Sequence, residues 1–231
     1  MLEKLKKEVL EANLELVRSG LVLHTFGNAS GIDRAKGLVV IKPSGVSYES
    51  LKPNDMVVVD LEGKRVEGRL NPSSDTPSHV VLYRGFPTIG GVAHTHSRYA
   101  TGWAQARRAI PCFGTTHADY FDGPVPVTRA MLATEIETDY EANTGEVIVE
   151  TFEDLDPERF PGVLVANHGP FAWGPDVHEA VHAASALEAI ATTAYLTATL
   201  SPEAGEISGA LLKKHFRRKH GPDAYYGQRG S

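Results

Sequence analysis

The 231-residue sequence has a single cysteine, Cys112, which excludes an internal disulfide and a Cys-rich zinc finger and suits a reducing compartment. It has no basic excess: 23 Lys and Arg stand against 29 Asp and Glu, a formal net charge of −6. Nucleic acid and anionic membrane surfaces both demand a basic face, so neither is expected as a partner. Long apolar runs are also missing. The opening stretch MLEKLKKEVLEANLELV carries charges every few residues, unlike a signal peptide or a membrane span, and a cytoplasmic location is expected. There is no internal repeat, no low-complexity tract, no Gly/Ser/Pro linker and no G-x-G-x-x-G fingerprint for a nicotinamide cofactor. One domain over residues 1–231 is expected, with 42% hydrophobic content supplying its core.

Apolar residues at helical spacing (Leu2, Leu5, Val9, Leu10, Leu16) predict a helix over about residues 2–19, stopped by Gly20. Strand-like runs follow at GLVVIKP and at DMVVVDLEGKRVEG, the second folded into a hairpin at Glu62-Gly63. A helix is expected from SSDTPSHVVLYRGF, then a strand at IGGVAHTH, a helix at RYATGWAQARR, strands at EVIVETF and GVLVANH, and closing helices over 176–199 and 203–219. This order predicts a three-layer α/β domain with a central, mainly antiparallel sheet flanked by helices.

His94 and His96, two apart, would share one face of an extended strand. His168 ends another strand-like run, followed by Gly169-Pro170, which should not continue a ladder. Asp75 stands before Thr76-Pro77 and suits a helix N-cap equally well. Together, three imidazoles and one carboxylate form a donor set suited to zinc or a similar divalent ion. A rival motif, HEAVH at 178–182, matches the H-E-x-x-H of zinc proteases. Here Asp176 and Glu179 form a capping box, and an inward stripe of Val177, Val181, Ala184, Leu187 and Ala191 turns both histidines away. The glycine and hydroxyl turns FGNAS, IKPSGV and PSSD, with Lys42, could hold an anion, although such residues also mark ordinary turns. Asp119 lies in a polar loop, where carboxylates are usually inert, and the paired tyrosines of the tail usually dock a terminus.

The motifs GNAS, IKPSGV, PSSDTPSH, HTHSRYATGWAQA, GTTHADYF, NHGPFAWG and KHGPDAYYGQ together resemble the class II aldolase and adducin family. The resemblance implies one catalytic zinc on Asp75, His94, His96 and His168. It implies a sugar-phosphate site lined by Gly27, Asn28, Lys42, Ser44, Gly45, Ser73 and Ser74, and a homotetramer with active sites at subunit interfaces. Asp119 and Tyr226 would be the acid/base pair contributed across such an interface, with Glu141 and His215 nearby. Family aldolases carry a catalytic Glu where this sequence has Asp75, so the resemblance implies an epimerase of a pentulose phosphate working by C3–C4 cleavage. A sugar-phosphate aldolase and the non-enzymatic adducin module are the alternatives. Arg229-Gly230-Ser231 extend past the usual family end at Gln228.

Overall fold

Runs such as Val57-Val58-Val59 are apolar at every position because both faces of their sheet are covered. In the computed structural model, which describes residues 2–221, 224 and 225, the elements run α1 (Glu3–Arg18), β1 (Asn28–Asp33), β2 (Leu38–Ile41), β3 (Val57–Asp60), β4 (Arg65–Glu67), α2 (Thr76–Gly85), β5 (Gly91–His94), α3 (Arg98–Gln105), α4 (Thr115–Ala118), α5 (Ala133–Glu137), α6 (Tyr140–Thr151), β6 (Gly162–Leu164), β7 (Pro170–Gly174), α7 (Val177–Leu200) and α8 (Gly209–Lys219). The strands form one sheet in the order β4-β3-β2-β1-β5-β7-β6, every neighbouring pair antiparallel. Side chains alternate between its faces. Val40, Val58, Ala93 and Ala172 pack under α1 and α7. Val39, Ile41, Val57, Val59, Val92, Phe171 and Trp173 pack on the opposite face with Val80, Leu82 and Tyr83 of α2 and Ile148 of α6. These are the three layers expected.

Several elements differ from the sequence reading. EVIVETF is not a strand but the C-terminal half of α6: Val147 and Ile148 are buried while Glu146 and Glu150 are exposed, so packing on α2 overrides the β-branched run. Pro170 opens β7 instead of ending a ladder, at a strand's first residue, where its missing N–H is tolerated. The strand through Asn28 was read as a turn because NASGID is small and polar. The last helix starts at Gly209, capped by Ser208, whose hydroxyl accepts from the Leu211 N–H. Asp176 caps α7, accepting from the His178 and Glu179 N–H groups.

A row of glycines crosses the sheet: Gly31 pairs with Gly91, and Gly91 with Gly174. It exists because α1 and α7 press onto the strands there. A Cβ on Gly31 would lie 2.9 Å from Leu5, one on Gly174 would lie 2.7 Å from Glu179, and one on Gly91 would lie 2.3 Å from the Asp176 carbonyl oxygen. The obstacle at Gly91 is backbone, which cannot rotate away. Gly91→Ala is therefore expected to lower the unfolding free energy by about 1–3 kcal/mol, read as a lower denaturant midpoint. An unchanged midpoint would contradict this account of how α7 docks.

Candidate metal centre and active site

The site is built where β5 ends and β1 and β7 begin, beside α2. His94 is the last residue of β5, its partner on β1 is Asn28, and its partner on β7 is Phe171. Phe171 stacks on the His94 ring at 4.2 Å between centroids. His94 Nδ1 lies 3.0 Å from the Pro170 carbonyl oxygen. That oxygen can only accept, so Nδ1 carries the proton and Nε2 keeps its lone pair. His96 lies beyond the strand, so simple alternation does not set its direction. Its Nε2 nonetheless comes within 3.2 Å of His94 Nε2. The turn after it is fixed from α7, where the two carboxylate oxygens of Glu188 accept from the Tyr99 and Ala100 N–H groups at 2.9 Å each. His168 sits on a tight turn between β6 and β7. Asn167 takes φ of 64°, and the Val165 N–H reaches back to the Gly169 carbonyl.

One nitrogen from each of His94, His96 and His168 falls within 4.8 Å of the others. Burial lowers all three imidazoles from their ordinary value, His94 to about 3, so at neutral pH they are uncharged. Converging neutral nitrogens are what a divalent transition ion requires. Asp75 stands at the N-cap position of α2 but makes no side-chain cap. Its Oδ2 instead accepts from Asn28 Nδ2 at 2.6 Å. Burial alone would raise this carboxyl; attraction to His94 and His79 whenever those rings are protonated, with the Asn28 amide, holds it below its usual range, so at neutral pH it is an anion beside uncharged histidines. The donor set fits zinc.

The residues expected around a sugar phosphate are linked to this centre. Asn28 also donates to Ser73 Oγ at 3.1 Å, and the Ser73 N–H donates to the Lys42 carbonyl at 3.0 Å. Lys42 is 2% exposed, its Nζ donating to the Pro43 carbonyl and lying 4.7 Å from the Tyr48 ring centre. Tyr48 donates to the Gly27 carbonyl at 2.8 Å. Gly27 has φ of +81°, and a Cβ there would meet the His94 carbonyl at 2.8 Å. Ser44, Gly45 (φ +67°) and Ser74 are exposed on the same rim. Glu141 is the second residue of α6, its carbonyl accepting from Ser78.

Asp119 is elsewhere. It follows α4, and α8 surrounds its carboxylate: Arg218 donates to both oxygens at 2.8 and 2.5 Å, and His215 Nδ1 lies 3.1 Å from Oδ1. Burial opposes its charge, but these partners keep its pKa below the usual value. Asp119 lines a cavity of about 520 Å³ with Trp173, Gly174 and Pro175, at the end of β7 away from Pro170. A chain therefore does not bring its own Asp119 to its own histidine cluster. Tyr226 lies outside the described residues. His178 and His182, the rival pair, are exposed on α7, His182 Nε2 lying 3.3 Å from Tyr120 Oη.

Tyr140, which the sequence did not single out, opens α6 with its hydroxyl 3.4 Å from His168 Nδ1. No motif marks it, because it reaches the site only through the packing of α6 on α2.

Residues 7–195 match the family described as Class II Aldolase and Adducin N-terminal domain. The chain belongs to this family. It is 56% identical over 228 residues to L-ribulose-5-phosphate 4-epimerase UlaF of Salmonella paratyphi B, covering 99% of this chain and 100% of that protein. The protein of the same name from Salmonella typhi is also 56% identical, with the same coverage. Among solved structures, an L-fuculose 1-phosphate aldolase superposes with a TM-score of 0.79 at 27% identity, over 93% of this chain and 95% of that one.

Proposed function

We propose that this protein, as one domain over residues 1–231, is a zinc-dependent epimerase interconverting L-ribulose 5-phosphate and D-xylulose 5-phosphate in the cytoplasm. The observation that carries it is the cluster of three neutral imidazoles beside the Asp75 carboxylate, in a chain 56% identical to proteins named L-ribulose-5-phosphate 4-epimerase. Among the described residues no helix is long and apolar enough to cross a membrane.

The substrate dictates the route. C4 is β to the C2 ketone, so its hydrogen is not acidified by that carbonyl, and direct deprotonation is unfavourable. Asp75, His94, His96 and His168 would hold a divalent ion, which would supply Lewis-acid stabilisation of the negative charge that develops on the ketose. The C3–C4 bond then breaks with its electron pair on C3, while the C4 hydroxyl gives up its proton. The fragments are the enediolate of dihydroxyacetone and glycolaldehyde phosphate. Lys42, Asn28 and the rim of Ser44, Gly45, Ser73 and Ser74 hold the phosphate while the aldehyde turns, and re-addition to its other face inverts C4. Asp119 and Tyr226, brought by a neighbouring subunit of a homotetramer, serve the C4 oxygen from opposite sides, one taking its proton and the other returning one.

Supplying dihydroxyacetone and glycolaldehyde phosphate is expected to yield both pentulose phosphates slowly, with carbon-13 isotope effects at C3 and C4. No condensation, no heavy-atom effect and solvent hydrogen appearing at C4 would rule out bond cleavage.

A further inference from the structure

The turns expected to line a phosphate site are tied together through Tyr48. This residue opens a short helical turn over Tyr48–Ser50, just past the IKPSGV stretch, and is 4% exposed. Its hydroxyl donates to the Gly27 carbonyl at 2.8 Å, with the Phe26 carbonyl 3.4 Å away. The Lys42 ammonium lies over its ring, 4.7 Å from the centre. The third turn joins through Lys42 itself, whose carbonyl accepts from the Ser73 N–H at 3.0 Å while Pro43 bridges to Pro72. The Gly27 turn in its own right is pressed against the end of β5, where a Cβ on Gly27 would come 2.8 Å from the His94 carbonyl oxygen.

The ammonium is short of partners. An ammonium carries three N–H donors, yet among the described residues its hydrogen bond is to the Pro43 carbonyl at 3.2 Å, and no carboxylate lies within ion-pair distance of it. Burial lowers its pKa accordingly. A buried cation without a counterion is costly, and the negative face of the Tyr48 ring offsets part of that cost. The donors left over suit an anion such as a phosphate monoester. Tyr48 itself is held from its other end, since its hydroxyl has the Gly27 carbonyl as acceptor.

We propose that Tyr48 is a positioning residue for the phosphate end of the substrate: its hydroxyl, bonded to the Gly27 carbonyl, fixes the ring, and the face of the ring holds the Lys42 ammonium in place. Because the Gly27 turn rests on His94, the same side chain sets the spacing between the phosphate anchor and the histidine cluster. This rests on the reading of Lys42 as part of a sugar-phosphate site.

The test uses full-length, zinc-loaded protein and phosphoglycolate, the carboxylate analogue of glycolaldehyde phosphate, with Kd read by calorimetry. Zinc affinity, from competition with a chromophoric chelator, and thermal unfolding control for general damage to the site. Lys42→Met should weaken phosphoglycolate about tenfold or more, as loss of a charge-assisted contact does. Tyr48→Leu should weaken it about tenfold and Tyr48→Phe, which keeps the ring, no more than about threefold, with zinc affinity within about threefold of the parent in both. In the Lys42→Met background Tyr48→Leu should add less than about twofold, because the charge its ring holds is already gone; an effect acting through the fold at large would add in full. Parent affinity in Tyr48→Leu, equal weakening in the Leu and Phe variants, or full additivity would overturn the proposal. Unchanged affinity in Lys42→Met, or no binding by the parent, would overturn it too, by taking the phosphate away from Lys42. Should Tyr48→Leu not fold, pentafluorophenylalanine at position 48 keeps the shape of the ring while reversing its charge distribution, and affinity equal to that of Tyr48→Phe overturns the proposal. Phosphoglycolate is bound and not turned over, so these outcomes stand whether or not L-ribulose 5-phosphate proves to be a substrate.

Discussion

Replacing His96 with alanine is expected to strip the divalent ion from the protein and to abolish turnover while the sheet stays folded. His96 is exposed and lies beyond β5, so its removal opens no core cavity. What is lost is one of three converging nitrogens. Lewis-acid stabilisation is worth several kcal/mol, and at 1.36 kcal/mol per factor of ten the loss amounts to about 10³-fold or more. Elemental analysis and a turnover assay on the same preparation decide it. Unchanged metal content and activity would remove His96 from the site, and loss of activity in a His178/His182 double variant would return attention to the exposed pair on α7.

The second large effect concerns sharing between subunits. Asp119 is held by Arg218 and His215 of its own chain, at the far end of β7 from the histidines of that chain. Asp119→Asn should cut turnover by ~10²–10⁴, the usual worth of a positioned acid or base, while zinc content stays at the parent level. His96→Ala fails for the opposite reason. If each site takes its histidines from one chain and Asp119 from the next, coexpressing the two inactive variants rebuilds intact sites, about a quarter of all sites for random mixing in a symmetric ring. Activity should return towards that level. No recovery in verified mixed oligomers would mean that Asp119 serves no neighbour.

The readable part of this fold is the part governed by apolar periodicity. The Val39–Ile41 and Val57–Val59 runs and the α1 stripe gave their elements correctly, since burial on both faces of a sheet leaves a continuous apolar run and burial of one helix face leaves a pattern of period 3.6. β1 was hidden because three of its five buried positions are Asn28, Ser30 and Gly31: Ser30 bonds His79 and Tyr83 of α2, the Asn28 amide donates to Asp75 just before that helix, and the glycine is demanded by α1. α6 was misread because Val147, Ile148 and Val149 favour a strand locally, and only α2, distant in sequence, makes the helix the better packing. The three histidines that converge were singled out as residue types at the ends of strand-like runs, and the residues proposed around them came from the resemblance. Tyr140 was not legible, because it comes beside His168 through a contact between elements, which one-dimensional spacing does not encode.

The central claim is that this metal centre performs epimerisation at C4 of a pentulose phosphate. A coupled assay supplying L-ribulose 5-phosphate and detecting D-xylulose 5-phosphate tests it most directly, run on protein as purified, after chelation, and after zinc is restored. The account predicts conversion that stops when the ion is removed and resumes on its return. No conversion by protein shown to hold one ion per chain, or undiminished conversion by protein shown to hold none, would contradict it.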